Sequence, residues 1–192
     1  PRSTPKPSSA ASDVYKRQAM RHANMAGSSV NGGVLMAMGD DHSGESSTVL
    51  HQSDFAMIDA SMPILSPAGV QEIIDYGLYG WALSRFSGLW VGLKVMKDTV
   101  EATSVVDGDI NRMSFVNPDL IIPEDGLNIK LLDQPIDQEQ RLVEHKIEAA
   151  KSFANRNNLP FVEIPIEIPL MEYFLIWHKS DEGDGGHIWK VR

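Results

Sequence analysis

The chain has 192 residues, no cysteine and a formal net charge of −9 at pH 7. That charge disfavours nucleic acid or an anionic membrane as a partner. The absence of thiols excludes disulfides, and any iron–sulfur cluster or cysteine-ligated zinc held by this chain alone. A hydrophobic share of 42% suffices for the core of one domain. No apolar run has the length of a membrane span and no leader is expected at the N-terminus, so the expectation is a cytoplasmic protein.

Residues 1–13 are dominated by Pro, Ser and Thr, and Val14–Gln18 follows. This composition buries little apolar area, so residues 1–18 are expected to form a disordered tail, or sequence foreign to the domain. Gly33–Met38 is a continuous apolar run between glycines and predicts a strand buried on both faces. Ser47 or Thr48 is expected to cap a helix reaching Ala60, with Val49, Leu50, Phe55 and Ile58 turned inward. Pro63–Pro67 predicts a second short strand. Gly69–Ser87 predicts a helix with Val70, Ile73, Ile74, Gly77, Leu78 and Trp81 on one buried face. Leu89–Met96 returns as a third strand.

This alternation predicts an α/β fold with a mostly parallel sheet flanked by helices in three layers. Residues 105–134 read as loop. A helix from Ile136 to Asn157, with Val143, Ile147, Ala150 and Ala154 in one stripe, reads as a surface or linker helix (135–158). Residues 159–192 form a divergent segment of uncertain fold, in which Phe161–Pro169 alternates like an edge strand.

The first strand ends in Gly39-Asp40-Asp41-His42-Ser43-Gly44-Glu45. Ligands in open parallel sheets bind beyond the carboxyl ends of the strands, so this cluster is the candidate rim of a site. Carboxylates and imidazoles are also general acids and bases and metal ligands. One alternative is therefore a metal-dependent hydrolase using Asp40, Asp41, His42 and His51, although no closed zinc pattern is present and no metal site is expected. Another is a non-catalytic interaction domain. Gly183-Asp184-Gly185 echoes the start of a magnesium–diphosphate motif but lacks its later amide ligand. No nucleotide-binding glycine fingerprint, Walker loop or nucleophile elbow occurs.

Several ordered segments together carry a resemblance. They are Arg21–Gly27, Gly39–His42, Glu45–Thr48 with His51-Gln52-Ser53, Pro67–Glu72, Asp75–Arg85, Trp90–Lys94 and Asp98–Glu101. Gly126–Ile129 and Glu144–Lys146 extend it. Residues 19–158 resemble the long fused form of indolepyruvate ferredoxin oxidoreductase, at its thiamine-pyrimidine-binding domain. The resemblance implies a partial domain of that kind over 19–134, in a truncated sheet. It implies oxidative decarboxylation of a 2-oxoacid to an acyl-coenzyme A, with electrons passed to ferredoxin. Thiamine diphosphate with Mg2+ would be shared with other domains of the same enzyme, and iron–sulfur clusters and coenzyme A would sit elsewhere in it. A homo-oligomer is expected. The family's activating glutamate is expected upstream of Arg21, so no catalytic residue is assigned and the isolated chain is expected to be inactive. His22, Asn24, Asp40, Asp41, Ser46, Ser47, His51 and Gln52 are expected to line the cofactor face.

Overall fold

The computed structural model describes residues 9–45, 48–109 and 111–159. The element order is α1 (Ser9–Ala26), β1 (Val34–Asp40), α2 (Asp54–Asp59), β2 (Ile64–Leu65), α3 (Val70–Ser87) and β3 (Trp90–Met96). The short α4 (Lys97–Val100), then α5 (Pro135–Arg141), a π-helical turn (Leu142–Lys146) and α6 (Ile147–Arg156) complete it. Residues 105–134 carry no helix or strand among those described, as their polar, loop-rich composition suggests.

The sheet is small, open and wholly parallel, in the order β1-β3-β2. The fold is thus α/β, with a register that sets Leu35 beside Val91, Met38 beside Lys94 and Ile64 beside Gly92. Side chains alternate between faces. One face, with Leu35, Leu65 and Val91, packs on α3 in a core that includes Tyr79, Leu83, Leu89 and Phe153. The other, with Met36, Met38, Ile64 and Trp90, packs on Met57, Ala60 and Met62, and Met20 joins it from α1. Gly92 makes this second layer close, because a Cβ there would collide with the Met57 sulfur. Gly88 ends α3 in the left-handed conformation, at φ 74°, which favours glycine.

Five expectations need correction. The helix α1 already begins at Ser9, inside the expected tail of residues 1–18. Alanine, the strongest helix former, recurs at positions 10, 11, 19, 23 and 26 and outweighs the Pro-Ser-Thr bias. The strand β1 lies at a sheet edge and is only half-buried: both faces pack in part, but Ala37 and Gly39, on the face of Leu35, are exposed. The helix after it spans only Asp54–Asp59, following Ser53. Val49, Leu50 and Phe55 are exposed, and Met57 and Ala60 are the buried residues.

The buried face of α3 is also not the apolar stripe. Ile74, Leu78 and Trp81 are each 40–46% exposed, and Tyr79, Gly80, Leu83, Ser84 and Ser87 face inward. Close approach to the sheet selects small residues there. A Cβ on Gly80 would come 2.6 Å from Leu35, and the Ser84 hydroxyl accepts a hydrogen bond from the Val34 N–H at 2.9 Å. Finally, the stretch 135–156 is no mere surface helix, since Leu142, Ala150 and Phe153 enter the main core. The π turn shifts the inward stripe, burying Leu142 and Lys146 and leaving Val143 64% exposed. The expected edge strand Phe161–Pro169 and Gly183-Asp184-Gly185 lie outside the described residues.

Candidate functional site

The polar run after β1 does sit at the carboxyl end of a parallel strand. Asp40 is the last residue of β1 and pairs in register with Met96, the last residue of β3. Alternation puts Asp40, Met38 and the cross-strand neighbour Lys94 on the same face. There the Lys94 ammonium lies 2.7 Å from Asp54 Oδ2 and 3.6 Å from Asp40 Oδ2. His42 Nε2 approaches Asp40 Oδ2 from the solvent side at 3.5 Å. The site therefore combines the ends of β1 and β3 with the first turn of α2.

Its electrostatics are unequal. Burial pushes the Asp54 carboxyl up, but hydrogen bonds from Lys94 and Gln52 and the charge of Lys94 outweigh it, so its pKa lies below the usual carboxylate value. Asp54 is thereby held ionised against Lys94. The Asp40 side chain is fully buried, and among the described residues neither of its oxygens has a hydrogen-bond partner. The Ser53 hydroxyl is likewise buried without one. A buried acceptor without a donor is costly. Two carboxylates around one ammonium leave negative charge over, which suits a ligand bearing N–H donors or positive charge.

The residues expected to line one cofactor face fall into separate places. Asp40 is buried at the rim, and Gln52 reaches it by donating to Asp54. Asp41 and His51 meet through backbone: each N–H donates to the other's carbonyl, at 3.2 and 2.9 Å. This closes the base of the loop, and Asp41 Oδ1 accepts the Glu45 N–H inside it. Ser46 and Ser47 lie outside the described residues. Asn24 stands at the opposite end of the sheet. Its amide donates to the carbonyls of Ala60 and Ser61 at 2.7 and 3.0 Å, and its oxygen accepts the Trp90 N–H at 2.8 Å. It is fully buried and fully used in joining α1 to β3 and the α2–β2 turn. His22 is exposed on α1, one turn or less from Asn24.

Two members of the rim, Lys94 and Asp54, are not among the residues singled out in the sequence. Lys94 carries a usable signal, since it is the only charged residue between Leu89 and Met96. Asp54 carries none, being one of many acids in a polar stretch. Among the described residues, no three His, Asp or Glu side chains converge as a metal ion would need. No helix among them is long and apolar enough to cross a membrane. A shallow hollow of about 760 Å3 lies elsewhere, between Asn117–Asp119 and Ser152, Asn155 and Arg156 of α6. Compared with protein-family models, curated proteins and solved structures, the chain matches none of them.

Proposed function

We propose that the rim formed by Asp40, Lys94 and Asp54 is the pyrimidine side of a thiamine diphosphate cleft in a 2-oxoacid oxidoreductase. The observation that carries this reading is the Asp40 carboxyl group, buried at the carboxyl end of a parallel strand with no hydrogen-bond donor to either oxygen among the described residues, and only the longer ion-pair contacts of Lys94 and His42 to Oδ2. An aminopyrimidine bears an amino group that such a carboxylate accepts. The ordered motifs of residues 19–158 support the same ligand. The cofactor, when bound, supplies the nucleophilic carbon and the electron sink needed to release carbon dioxide from a 2-oxoacid.

The chain's own residues have separable tasks in this reading. Asp40 accepts from the ligand, and its burial makes that hydrogen bond strong. Lys94 offsets the two carboxylates and stays with Asp54, the closer partner. His42 stands between Asp40 and solvent, with its side chain 44% exposed, and must turn aside for a ligand to reach the carboxylate. The remaining domains of the enzyme, with ferredoxin as acceptor, complete the reaction. Among the described residues, no grouping of donors favours the metal-dependent hydrolase.

The test is a nuclear magnetic resonance titration of the whole chain with thiamine diphosphate and Mg2+. Amide shifts are expected at Asp40, Asp41, Ser53, Asp54 and Lys94, and should vanish in Asp40→Ala. Saturating ligand without shifts at those positions would refute the proposal.

A further inference from the structure

The hollow of about 760 Å3 between α6 and the loop at Asn117–Asp119 has the size of a small-molecule site. Its walls are fixed by hydrogen bonds and packing. The Asn157 side chain accepts from the Val116 N–H at 2.9 Å and donates back to the Val116 carbonyl at 3.1 Å, so it ties the loop to the end of α6 as a paired backbone would. The neighbouring Phe115 ring packs on Tyr79 and Phe153. At Asn158 the backbone turns left-handed, at φ 55°, which asparagine adopts more readily than most residues, and this turn closes α6 beside the hollow. The lining side chains are uncommitted. Among the described residues, those of Asn117, Asp119, Ser152, Asn155, Arg156 and Asn158 make no hydrogen bond or ion pair within the chain.

We propose that this hollow binds a neutral di- or trisaccharide. The chemistry of the lining selects the ligand. Three carboxamides and one hydroxyl each present a donor and an acceptor together, and a sugar ring, whose hydroxyls both donate and accept, can use both. Charge is balanced, since Arg156 and Asp119 contribute one of each sign and do not pair with each other. An anion is disfavoured further, because α6 presents its C-terminal end here, the negative pole of the helix. A cation would meet the Arg156 guanidinium. Pro118 is the one apolar residue in the lining among those described, so an aromatic or lipid-like ligand would bury little area against it. A single proline face suits the C–H side of one sugar ring. The hollow is separate from the rim at Asp40, and neither reading depends on the other.

The test is a nuclear magnetic resonance titration of the whole chain with maltose, cellobiose and lactose. At least one of these sugars should shift the amides of Asn117, Asp119, Ser152, Asn155 and Asn158 while leaving those of Asp40 and Lys94 unmoved. The Asn117→Ala, Asn155→Ala double variant should weaken binding about tenfold or more, the loss of one or two hydrogen bonds. Both side chains are exposed and hold no other group in place, so the fold should survive, and circular dichroism checks it. A maltose phosphate and the glucosamine disaccharide, charged counterparts of the neutral sugars, should bind more weakly than the sugar that binds best. Absence of shifts at those amides with all three sugars would overturn the proposal. Shifts that persist undiminished in the double variant, or a charged counterpart that binds more tightly, would overturn it too.

Discussion

Asn24 and Lys146 show how a polar side chain can be wholly spent on holding the fold. Asn24 uses both amide hydrogens and its oxygen on three backbone groups from separate elements. Removing it strands buried donors and acceptors, which costs roughly 1–3 kcal/mol. Asn24→Ala is therefore expected to lower the unfolding free energy by about 3 kcal/mol in urea, with an unchanged denaturant slope. Lys146 is buried completely, and its ammonium donates to the Met25 carbonyl at 3.0 Å near the end of α1. Burial, with help from the nearby Arg141 charge, brings its pKa down to about 8. The unfolded chain holds that proton up to about 10.4. Between these values the unfolded state binds more protons, so this group makes stability rise with pH, by about 3 kcal/mol in all. Below pH 8 both states are charged and the burial cost is fully present. Lys146→Met should abolish the rise between pH 8 and 10.5. The measurement is the unfolding free energy of both proteins across that range, and parallel curves would refute the assignment.

Elements were legible in the sequence to different depths. The alternation of apolar runs with a helical pattern was enough for three strands and α3, because their ends coincide with Gly, Pro and polar residues. Which side of α3 turns inward was not legible. Apolar periodicity marks the stripe of Ile74, Leu78 and Trp81, whereas the sheet demands small residues, and Gly80 and Ser84 satisfy it through shape and a hydroxyl hydrogen bond. The same holds across the sheet at Gly92. A methyl group there must displace Met57, so Gly92→Ala is expected to destabilise by about 1–3 kcal/mol, as overpacking does. Met57→Ala would empty a buried site by itself, costing about 2–5 kcal/mol. The double variant should cost less than the two single changes together, because the new methyl fills part of that space. Additive losses in a thermal-melt cycle would show that the two residues do not share it.

At the scale of the whole molecule, the polar run was legible as following a strand end, whereas the structure gathers Lys94 and Asp54 beside Asp40 and sets Asn24 apart. Asp40 was visible because it ends an apolar run. Asn24 looked similar in sequence, being polar in a small-residue segment, and only the three-dimensional path of α1 carries it to the far end of the sheet. The segment 135–156 was misjudged for a related reason: its charged surface is plain in sequence, while the π turn that redirects its inner stripe leaves no periodic trace. The consequence is measurable. Phe153 is fully buried against Tyr79, Phe86 and Phe115, with ring centroids 5.5–6.4 Å apart. The Tyr79 hydroxyl shares this apolar setting, and burial raises its pKa to about 12. Phe153→Ala removes the ring that joins α6 to α3, at an expected cost of about 3–5 kcal/mol. If α6 belongs to the same cooperative unit as the sheet, the variant unfolds in one transition at a lower temperature. Tyr79 then titrates closer to an ordinary tyrosine when followed by ultraviolet difference absorbance. A surface helix would behave otherwise: hydrogen exchange would quicken in 135–156 alone, with the amides of β1 and β3 as protected as before.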